Sequence, residues 1–462
     1  MTTRPNPGIV HLGIGAFFRA FGLPWLEDAM ADSGGDWGVI GVSLRSASVR
    51  DALAPQSFRY PCVEMGPEGR SIRTINALRD VLVAPDDPAA VLSHMADPAT
   101  QIISLTVTEK GYCHDPATGR LNRAHPEIVR DLNEPLPRTA PGYILRALQM
   151  RHAAGASAPT ILSCDNLPGN GSLLRGILLD LAAEVDTDIR DWIAANVTFP
   201  NTMVDRIVPA TTADDIAAHP SHDPGLVLHE PFRQWVIEDA FAGPRPALEN
   251  VGVQLVQDVA PFEEMKLRML NGTHSAIAYL GYLAGHETVA EAMTDTAFPR
   301  FLRHLWRNEI IPTLSQPEGA DLAEYAEALL TRFANPGLKH RTWQIAMDGS
   351  QKLPQRILGT LQDQLDRGEN TAGLLLTVAG WMRYVSGTDE AGNPIDVRDP
   401  LVDHLQDQFR AASTPEARVA ALLSVEVIFD PILADRIKGP LTEVYKSLLA
   451  EGARGMVERT AQ

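Results

Sequence analysis

The segment GIVHLGIGAFFRA, residues 8–20, decides the fold of the N-terminal half. Its first six residues form a short apolar strand that runs through a glycine turn, and residues 20–31 beyond the turn have helical sequence. Strand, glycine turn and helix in this order open a nucleotide-binding βαβ unit. Gly13 and Gly15 supply the first two glycines of the dinucleotide fingerprint, whereas Phe18 stands in place of the third. An ordinary tight turn explains two glycines equally well, so this turn alone does not decide function.

Further buried strands follow, with helical sequence between them. Residues 37–44, 102–107 and 160–163 are short apolar runs typical of parallel strands covered on both faces. A hairpin around Pro67, Glu68 and Gly69 interrupts the alternation. We therefore predict an α/β fold with a Rossmann-type N-terminal domain built on a parallel sheet, over residues 1–258.

Polar residues follow these strands at their carboxyl ends, where ligands bind in such sheets. Thr108, Glu109 and Lys110 follow one strand, and Asp165 and Asn166 follow the next.

The second strand lacks the acidic residue that would bind an adenosine ribose, and Arg45 follows it instead. Arg45 or Arg50 would tolerate a 2′-phosphate, so the sequence leaves NADP open beside NAD. Further on, Asp205 and Arg206 lie in strand-like sequence, and taken alone they indicate a structural ion pair.

A second distinctive stretch is EEMKLRMLNGTHSAIAYLGYLAG, residues 263–285, which predicts one long helix opened by Pro261 in its first turn. At about 100° per residue, with Lys266 at zero, Glu263 lies near 60°, His274 near 80° and Asn271 near 140°. Polar groups on one arc of an apolar helix are costly to bury without partners, so we expect them to face a wet pocket or a ligand. A solvated helix flank is the alternative.

The remainder of the chain has helical periodicity with few β-like runs, for example at residues 321–332, 355–366, 371–385 and 415–423. We predict a mostly α-helical substrate and catalytic domain over residues 259–462. The long helix lies near the boundary between the two domains.

Composition limits the partners. The formal charge of −18, from 40 Lys and Arg against 58 Asp and Glu, argues against nucleic acid or an anionic membrane as a partner. Cys62, Cys113 and Cys164 have no metal-site spacing, so we expect reduced thiols and no metal. The N-terminus does not resemble a signal peptide, which leads us to expect a cytoplasmic protein. A monomer or a small homo-oligomer is expected.

Seven motifs resemble one family along nearly the whole chain, and they are VHLGIGAF, SLTVTEKGYC, SCDNLPGNG, TMVDRIVP, KLRMLNGTHSAIAYLG, HRTWQIAMDGSQKLPQR and GNPIDVRDP. They occur in the order found in the polyol-specific long-chain dehydrogenases, the mannitol dehydrogenase family. The TEKGYC and WQIAMDGSQKLPQR motifs look most like the fructuronate reductase (D-mannonate oxidoreductase) branch. The resemblance implies metal-independent hydride transfer between NAD and a sugar acid or polyol.

The resemblance also assigns roles to residues. Lys266 matches the family's catalytic base, whose pKa burial is expected to lower. Asn166 and Asn271 match the amide donors to the oxyanion, His274 matches a substrate-binding histidine, and Glu263 matches a proton relay. The cofactor-binding positions are Gly13, Ile14, Gly15, Ala16, Phe17, Arg45, Thr108, Glu109, Asn166 and Asp205. The substrate-binding positions are Lys110, Asn166, Lys266, Asn271, His274, Gln344 and Lys352.

Two departures bear on the substrate. Relatives that read FHRAHQ have histidines where this chain has Phe18 and Phe21, so we expect an altered pocket near the cofactor turn. Gln344 replaces the substrate-binding arginine of mannitol dehydrogenases.

For a uronate carboxylate, Lys110, Lys352 and Arg341 are the candidate partners. A mannitol or arabinitol dehydrogenase, or a cofactor-binding protein without catalysis, is the alternative to a fructuronate reductase.

Overall fold

The computed structural model describes residues 4–462, and the chain divides into two compact units, Met1–Ala260 and Pro261–Gln462. The strands are β1 (Pro7–Leu12), β2 (Gly38–Ser43), β3 (Tyr60–Gly66), β4 (Gly69–Ile75), β5 (Leu78–Val83), β6 (Ile102–Leu105), β7 (His114–Asp115), β8 (Arg120–Leu121), β9 (Thr160–Ser163), β10 (Thr202–Asp205), β11 (Val227–His229), β12 (Gln234–Glu238) and β13 (Gln254–Val256). All of them lie in the first unit.

The helices of the first unit are α1 (Ala16–Ala20), α2 (Gly22–Ser33), α3 (Ser48–Leu53), α4 (Pro88–Ala96), α5 (Pro126–Asn133), α6 (Ala140–Ala153), α7 (Asn170–Val185), α8 (Thr187–Asn196) and α9 (Ala213–Ala218). Short 3₁₀ turns cover Ala54–Gln56, Glu109–Tyr112 and Leu248–Val251.

The main sheet of the first unit has the strand order β5-β2-β1-β6-β9, and every neighbouring pair is parallel. Side chains alternate across it. Val10 and Leu12 enter a core cluster on one side, and Ile9 enters a second cluster on the other. A parallel sheet covered on both faces requires such apolar strands, and the predicted Rossmann-type fold is confirmed.

Smaller sheets surround this one. The predicted hairpin is β3 and β4, antiparallel and joined between Gly66 and Gly69. Strand β11 adds to β3 in parallel, and β10, β12 and β13 form another sheet. Residues 226–238 contribute to two different sheets, because they contain both β11 and β12.

The second unit is helical, and no strand occurs in residues 261–462, all of which the structure describes. Its helices are α10 (Ala260–Met265), α11 (Thr273–Ala276), α12 (Val289–Thr294), α13 (Ala297–His304), α14 (Leu322–Phe333), α15 (Thr342–Ala346), α16 (Gly349–Leu353), α17 (Gly359–Arg367), α18 (Ala372–Val385), α19 (Val402–Ala411), α20 (Pro415–Leu423) and α21 (Pro431–Thr460). π-Helical segments cover Lys266–Gly272, Ile277–Gly281, Leu305–Ile310 and Pro354–Leu358, and 3₁₀ turns cover Ile311–Thr313 and Pro336–Leu338.

The stretch predicted as one long helix is one continuous helix with irregular winding. It begins at Ala260 with Pro261 in the first turn, as predicted, and then alternates α and π winding. The spacing of about 100° per residue does not hold through the π segments, because periodicity in sequence does not separate an α turn from the slightly wider π turn. The mostly helical character of this half of the chain is confirmed.

Candidate active site

The glycine turn after β1 has a geometry that requires its first glycine. Gly13 has φ of +88°, and a Cβ there would lie 2.1 Å from the carbonyl oxygen of Thr106 on the neighbouring loop. Gly15 is exposed and precedes α1, with no atom of another residue nearer than 3.8 Å to where its Cβ would be. Ile14 points inward and Gly41 makes room for it, since a Cβ on Gly41 would lie 2.7 Å from the Ile14 side chain. The backbone of the turn is therefore open to a ligand on its outer side.

A buried histidine holds this turn from below. His11 Nε2 lies 2.9 Å from Thr106 Oγ1, and Thr106 Oγ1 donates to the carbonyl of Gly13 at 2.8 Å. Because that hydroxyl has one proton to give, His11 Nε2 carries the ring proton and Nδ1 accepts from Ser104 Oγ at 2.8 Å. Burial lowers the pKa of His11 to about 3. This neutral histidine links β1 to β6 beneath the turn, which sequence analysis did not anticipate.

The phenylalanines at the departure from the family motif are core residues. Phe18 is buried and stacks on His11, with ring centroids 3.4 Å apart. Gly22 admits its ring, because a Cβ on Gly22 would lie 2.2 Å from it. Phe21 is also buried and contacts Phe17 and Trp235. Both substituted side chains pack inside the first unit, and the expectation of an altered pocket at this turn stays a prediction.

The two arginines considered for a 2′-phosphate differ in their surroundings. Arg50 contacts Asp51 at 3.0 Å and Asp86 at 2.7 Å, so both sides of its guanidinium meet carboxylates. Arg45 is exposed directly after β2, next to Ser46 and Ser48, whose hydroxyls lie 3.0 Å apart. Of the two, Arg45 is the one placed at the ligand edge of the sheet without a carboxylate partner.

The loop after β6 carries Thr108, Glu109 and Lys110, all exposed. Thr108 has φ of +62°, a conformation that costs a residue with a Cβ about 1–2 kcal/mol. Asp165 at the end of β9 holds this loop. Its carboxylate accepts from the Val107 amide at 3.0 Å and from the Thr108 amide at 2.8 Å.

Tyr112 donates a third hydrogen bond to the same carboxylate at 2.9 Å. Burial raises the pKa of Asp165, whereas these three donors lower it. The sequence shows Asp165 only as a polar residue at a strand end, because its partners lie on another strand's loop.

Asn166 is exposed immediately after Asp165. The turn that carries it is tied to β10 through Asn170, which donates to the carbonyls of Asp165 and Thr202 at 2.9 Å each and accepts from the Thr202 amide. Asp205, at the end of β10, is buried.

Arg206 donates to the carbonyls of Ala20, Pro231 and Phe232, and it makes no ion pair with Asp205. Reading those two residues in isolation as an ion pair was wrong, because distant carbonyls bind the guanidinium. The predicted cofactor positions in the glycine turn and after β2, β6 and β9 thus lie along one edge of the main sheet.

In the second unit, π winding places Lys266 and Asn271 together. A π turn joins residues i and i+5, and Asn271 is residue i+5 from Lys266 within Lys266–Gly272. The 140° separation expected from α winding therefore does not apply. Lys266 is 9% exposed, and Glu263 one turn before it is half-buried. The side-chain amide of Asn271 makes no hydrogen bond with the described protein, and it is partly exposed.

His274 follows on the same helix and is held neutral. It is 6% exposed, and its ring lies 4.7 Å from that of Phe333 and 5.1 Å from that of His340. Burial, with His340, Arg332 and Arg356 nearby, lowers the pKa of His274 well below its usual value. Its Nε2 has no hydrogen-bond partner within the part of the chain that the structure describes. A buried, neutral, unbonded ring nitrogen is suited to a hydroxyl group of a ligand.

The remaining predicted substrate positions lie on neighbouring helices. Lys352 on α16 is half-buried, and its amine donates to the carbonyls of Met347 at 2.6 Å and Ile345 at 3.4 Å. Burial is the main cause that lowers the pKa of Lys352, and the positive charge of Arg356 is the second. Gln344 on α15 is exposed. Helix α15 packs on Ile277–Gly281, which continues the helix that carries Lys266.

Among residues 4–462, no group of three or more His, Cys, Asp or Glu side chains is arranged to hold a metal ion. The three cysteines are free and buried. Over the same described residues, none of the helices combines the length and apolarity that crossing a membrane requires.

The chain matches known proteins over nearly its whole length. Residues 7–250 match the family model of the mannitol dehydrogenase Rossmann domain, and residues 258–449 match that of the mannitol dehydrogenase C-terminal domain. The D-mannonate oxidoreductase of Escherichia coli is 46% identical over 98% of this chain and 96% of its own length. A mannitol 2-dehydrogenase of Pyrenophora tritici-repentis is 39% identical over 98% of this chain and 82% of its own.

A solved structure is similar as well. The mannitol 2-dehydrogenase of Pseudomonas fluorescens, in a ternary complex with NAD and D-mannitol, is 37% identical with a TM-score of 0.82. The match covers 99% of this chain and 94% of that one.

Proposed function

The chain belongs to the mannitol dehydrogenase family of oxidoreductases acting on CH–OH groups, and from this premise we propose that it interconverts D-fructuronate and D-mannonate with NAD. The observation that carries the chemistry is the buried Lys266, one π turn from a free Asn271 amide and on the same helix as a neutral His274. For the substrate, support comes from the 46% identity to a D-mannonate oxidoreductase, against 39% and 37% to the mannitol 2-dehydrogenases.

The glycine turn fits a dinucleotide. Gly13 takes a backbone conformation and an approach that a Cβ would prevent, and Gly15 leaves the outer side open. The residues that would hold the cofactor are those of the turn from Gly13 to Phe17, Arg45, Thr108 and Glu109, with Asn166 and Asp205. When bound, its nicotinamide supplies or accepts the hydride.

The proton is handled by the second unit's own residues. During oxidation of the alcohol, Lys266 Nζ takes the hydroxyl proton as the carbon loses hydride, and in the reverse direction it returns that proton to the new alkoxide. Burial favours the uncharged amine over the ammonium, which makes a lysine a usable base near neutral pH. Glu263, one turn earlier, passes the proton on toward solvent.

Amide donors stabilise the oxygen on which negative charge develops. Asn271 Nδ2 donates to it, and Asn166 is the second donor that the resemblance supplies. His274 Nε2 bonds a neighbouring substrate hydroxyl, which fixes the reacting carbon. Gln344 and Lys352 contact the rest of the sugar chain, and Lys110 is a further contact that the resemblance supplies.

A neutral polyol is the second candidate. It is favoured by the likeness to a structure that contains D-mannitol, and a mannitol 2-dehydrogenase or a D-arabinitol dehydrogenase would use the same proton chemistry.

Steady-state reduction of D-fructuronate, D-tagaturonate, D-fructose and D-xylulose, each with NADH and with NADPH, separates these candidates. We expect the largest kcat/KM for D-fructuronate with NADH. A larger value for D-fructose or D-xylulose would replace the proposal by the polyol candidate. Turnover of none of the four would contradict both, and would favour a cofactor-binding protein without catalysis.

A further inference from the structure

Arg356 lies against the helix that carries Lys266, and nothing in the established family assignment gives it a role. It belongs to the π segment Pro354–Leu358, which packs on Lys266–Gly272. Gly272 permits this approach, because a Cβ there would lie 2.9 Å from the carbonyl oxygen of Arg356. The guanidinium is thereby brought beside the proposed catalytic segment.

The guanidinium of Arg356 is poorly bonded by the protein. Its Nη1 lies 3.5 Å from the Asn271 carbonyl and 3.4 Å from Ser275 Oγ, both at the long limit of a hydrogen bond. No carboxylate within the described part of the chain pairs with it. Its Nε and Nη2 have no protein partner and are not sealed from solvent. A half-buried arginine normally has its charge compensated, so this one is suited to an external anion.

Two other arginines show a contrast. Arg151 donates to the carbonyls of Met95, Asp97, Thr100 and Ser157. Arg268, on the segment against which Pro354–Leu358 packs, contacts the carboxylates of Glu264 at 2.9 Å and Asp363 at 2.6 Å. Arg151 and Arg268 are thus each bonded by two or more acceptors at ordinary distances, whereas Arg356 has only two long contacts.

The surroundings of Arg356 are cationic. It lies close enough to His274 and Lys352 to lower the pKa of both, and burial lowers its own pKa. The other cationic candidates of this unit are less suitable. Carbonyls already bind the amine of Lys352, and Arg341 is 58% exposed with Glu287 at 3.7 Å. A positive region with one under-bonded guanidinium would be stabilised by an anionic ligand.

We propose that Arg356 binds the carboxylate of the sugar acid and so determines the preference for a uronate over a neutral ketose. The assignment rests on the proposed function, since it needs a substrate with a carboxylate. Arg356 forms a bidentate pair with the carboxylate while the ketone lies at Lys266, Asn271 and His274. It is a specificity residue and takes no part in proton or hydride transfer.

The test compares D-fructuronate with D-fructose, which has the same reacting ketone but no carboxylate. In Arg356→Gln we expect KM for D-fructuronate to rise about 10- to 100-fold, the value of one lost charge-assisted pair. The kcat for D-fructuronate and both constants for D-fructose should change by less than about threefold, in line with the loss of a binding contact alone. Arg356→Lys keeps the charge but loses the forked guanidinium, so its KM for D-fructuronate should lie between those of the wild type and Arg356→Gln.

Controls separate this effect from charge and folding. Arg410→Gln removes the same charge from an exposed pair with Asp407 and should leave both substrates unaffected. Binding of NADH reports on folding. If Arg356→Gln does not fold, Arg356→Lys is used in its place. We then measure how D-mannonate inhibits the reduction of D-fructose, and an inhibition constant above that of the wild type supports the proposal.

Equal losses for D-fructuronate and D-fructose, or an unchanged KM for D-fructuronate, would overturn the role of Arg356. A rise in KM for D-fructuronate in Arg341→Gln and not in Arg356→Gln would also overturn it. A wild-type protein that reduces D-fructose but no keto-uronate would overturn the proposed function itself, and the Arg356 assignment with it. That failure is recognised from the wild type alone, before any variant is compared.

Discussion

Replacing Asp165 by asparagine tests whether one buried carboxylate holds the loop after β6. The carboxylate accepts three hydrogen bonds, from the Val107 amide, the Thr108 amide and the Tyr112 hydroxyl. Two of them go to Oδ2 and one to Oδ1. Asparagine offers a single acceptor oxygen, and its NH₂ group takes the place of the other carboxylate oxygen. That NH₂ group would face donors that the carboxylate oxygen accepts from in the native protein.

The magnitude follows from that mismatch. If the oxygen keeps the Thr108 amide, the Val107 amide loses its acceptor, and an unsatisfied buried donor costs about 1–3 kcal/mol. Burial disfavours the charged carboxylate and raises the pKa of Asp165. Because asparagine carries no charge, the substitution removes this unfavourable burial and offsets part of the cost. Thr108 already has φ of +62°, so a loop released from Asp165 relaxes away from its present conformation. At 1.4 kcal/mol per tenfold, opening of the loop should become about 5- to 150-fold more frequent.

Hydrogen–deuterium exchange of peptides covering residues 102–113 measures the opening directly. We expect the Val107 and Thr108 amides to exchange faster in Asp165→Asn, and NADH to bind more weakly, because Thr108 and Glu109 are proposed cofactor contacts. Tyr112→Phe is the matched control, since it removes one bond to the same carboxylate but leaves both backbone bonds. Unchanged exchange at Val107 and Thr108 in Asp165→Asn would refute the reasoning.

Four further predictions follow from the structure. Lys266→Met should lower kcat by roughly two to four orders of magnitude while NADH binding is retained. Lys438→Ala changes an exposed lysine and should leave kcat unchanged. A loss below tenfold in Lys266→Met would remove Lys266 from the base role. Incubation with EDTA should leave the steady-state rate unchanged, because a lysine performs the proton transfer; recovery of a chelated, inactive protein by zinc alone would contradict this. The pKa of His11 is about 3 in the folded protein and about 6.5 when unfolded, so the unfolded state binds the extra proton between these values. Stability should therefore fall below pH 6.5, by about 2 kcal/mol at pH 5 from this residue, and His11→Gln should reduce that pH dependence in urea unfolding; an unaltered slope would argue against it. Gly272→Ala should destabilise the folded protein by about 1–3 kcal/mol, since its Cβ would lie 2.9 Å from a backbone carbonyl oxygen. Gly439→Ala is the control, because no atom lies within 4 Å of its Cβ position. Equal melting temperatures of the two variants would contradict the clash.

The sequence by itself determined the fold class and the family. The apolar runs that became β1, β2, β6 and β9 identify a parallel sheet, because strands covered on both faces need continuous apolar sequence. The glycine turn and the helical periodicity after residue 286 are local properties, and local patterns are read directly from sequence. The catalytic role of Lys266, Asn271 and His274 stays a prediction, which rests on the family motif.

Other features depend on contacts between segments far apart in the chain. The bonds of His11 with Ser104 and Thr106, and of Asp165 with Val107 and Thr108, join different strands, so no spacing in the sequence reveals them. The burial of Phe18 and Phe21 is likewise set by what packs around them.

Only the tertiary structure decided how the stretch from Glu263 is wound and what lies beside it. π winding brings Asn271 to one turn from Lys266, and a hydrophobic pattern cannot distinguish it from α winding. Arg356 was one of many arginines in the sequence. Whether a guanidinium has a carboxylate partner depends on the packing of separate helices, and this packing left Arg356 without one beside the proposed catalytic segment.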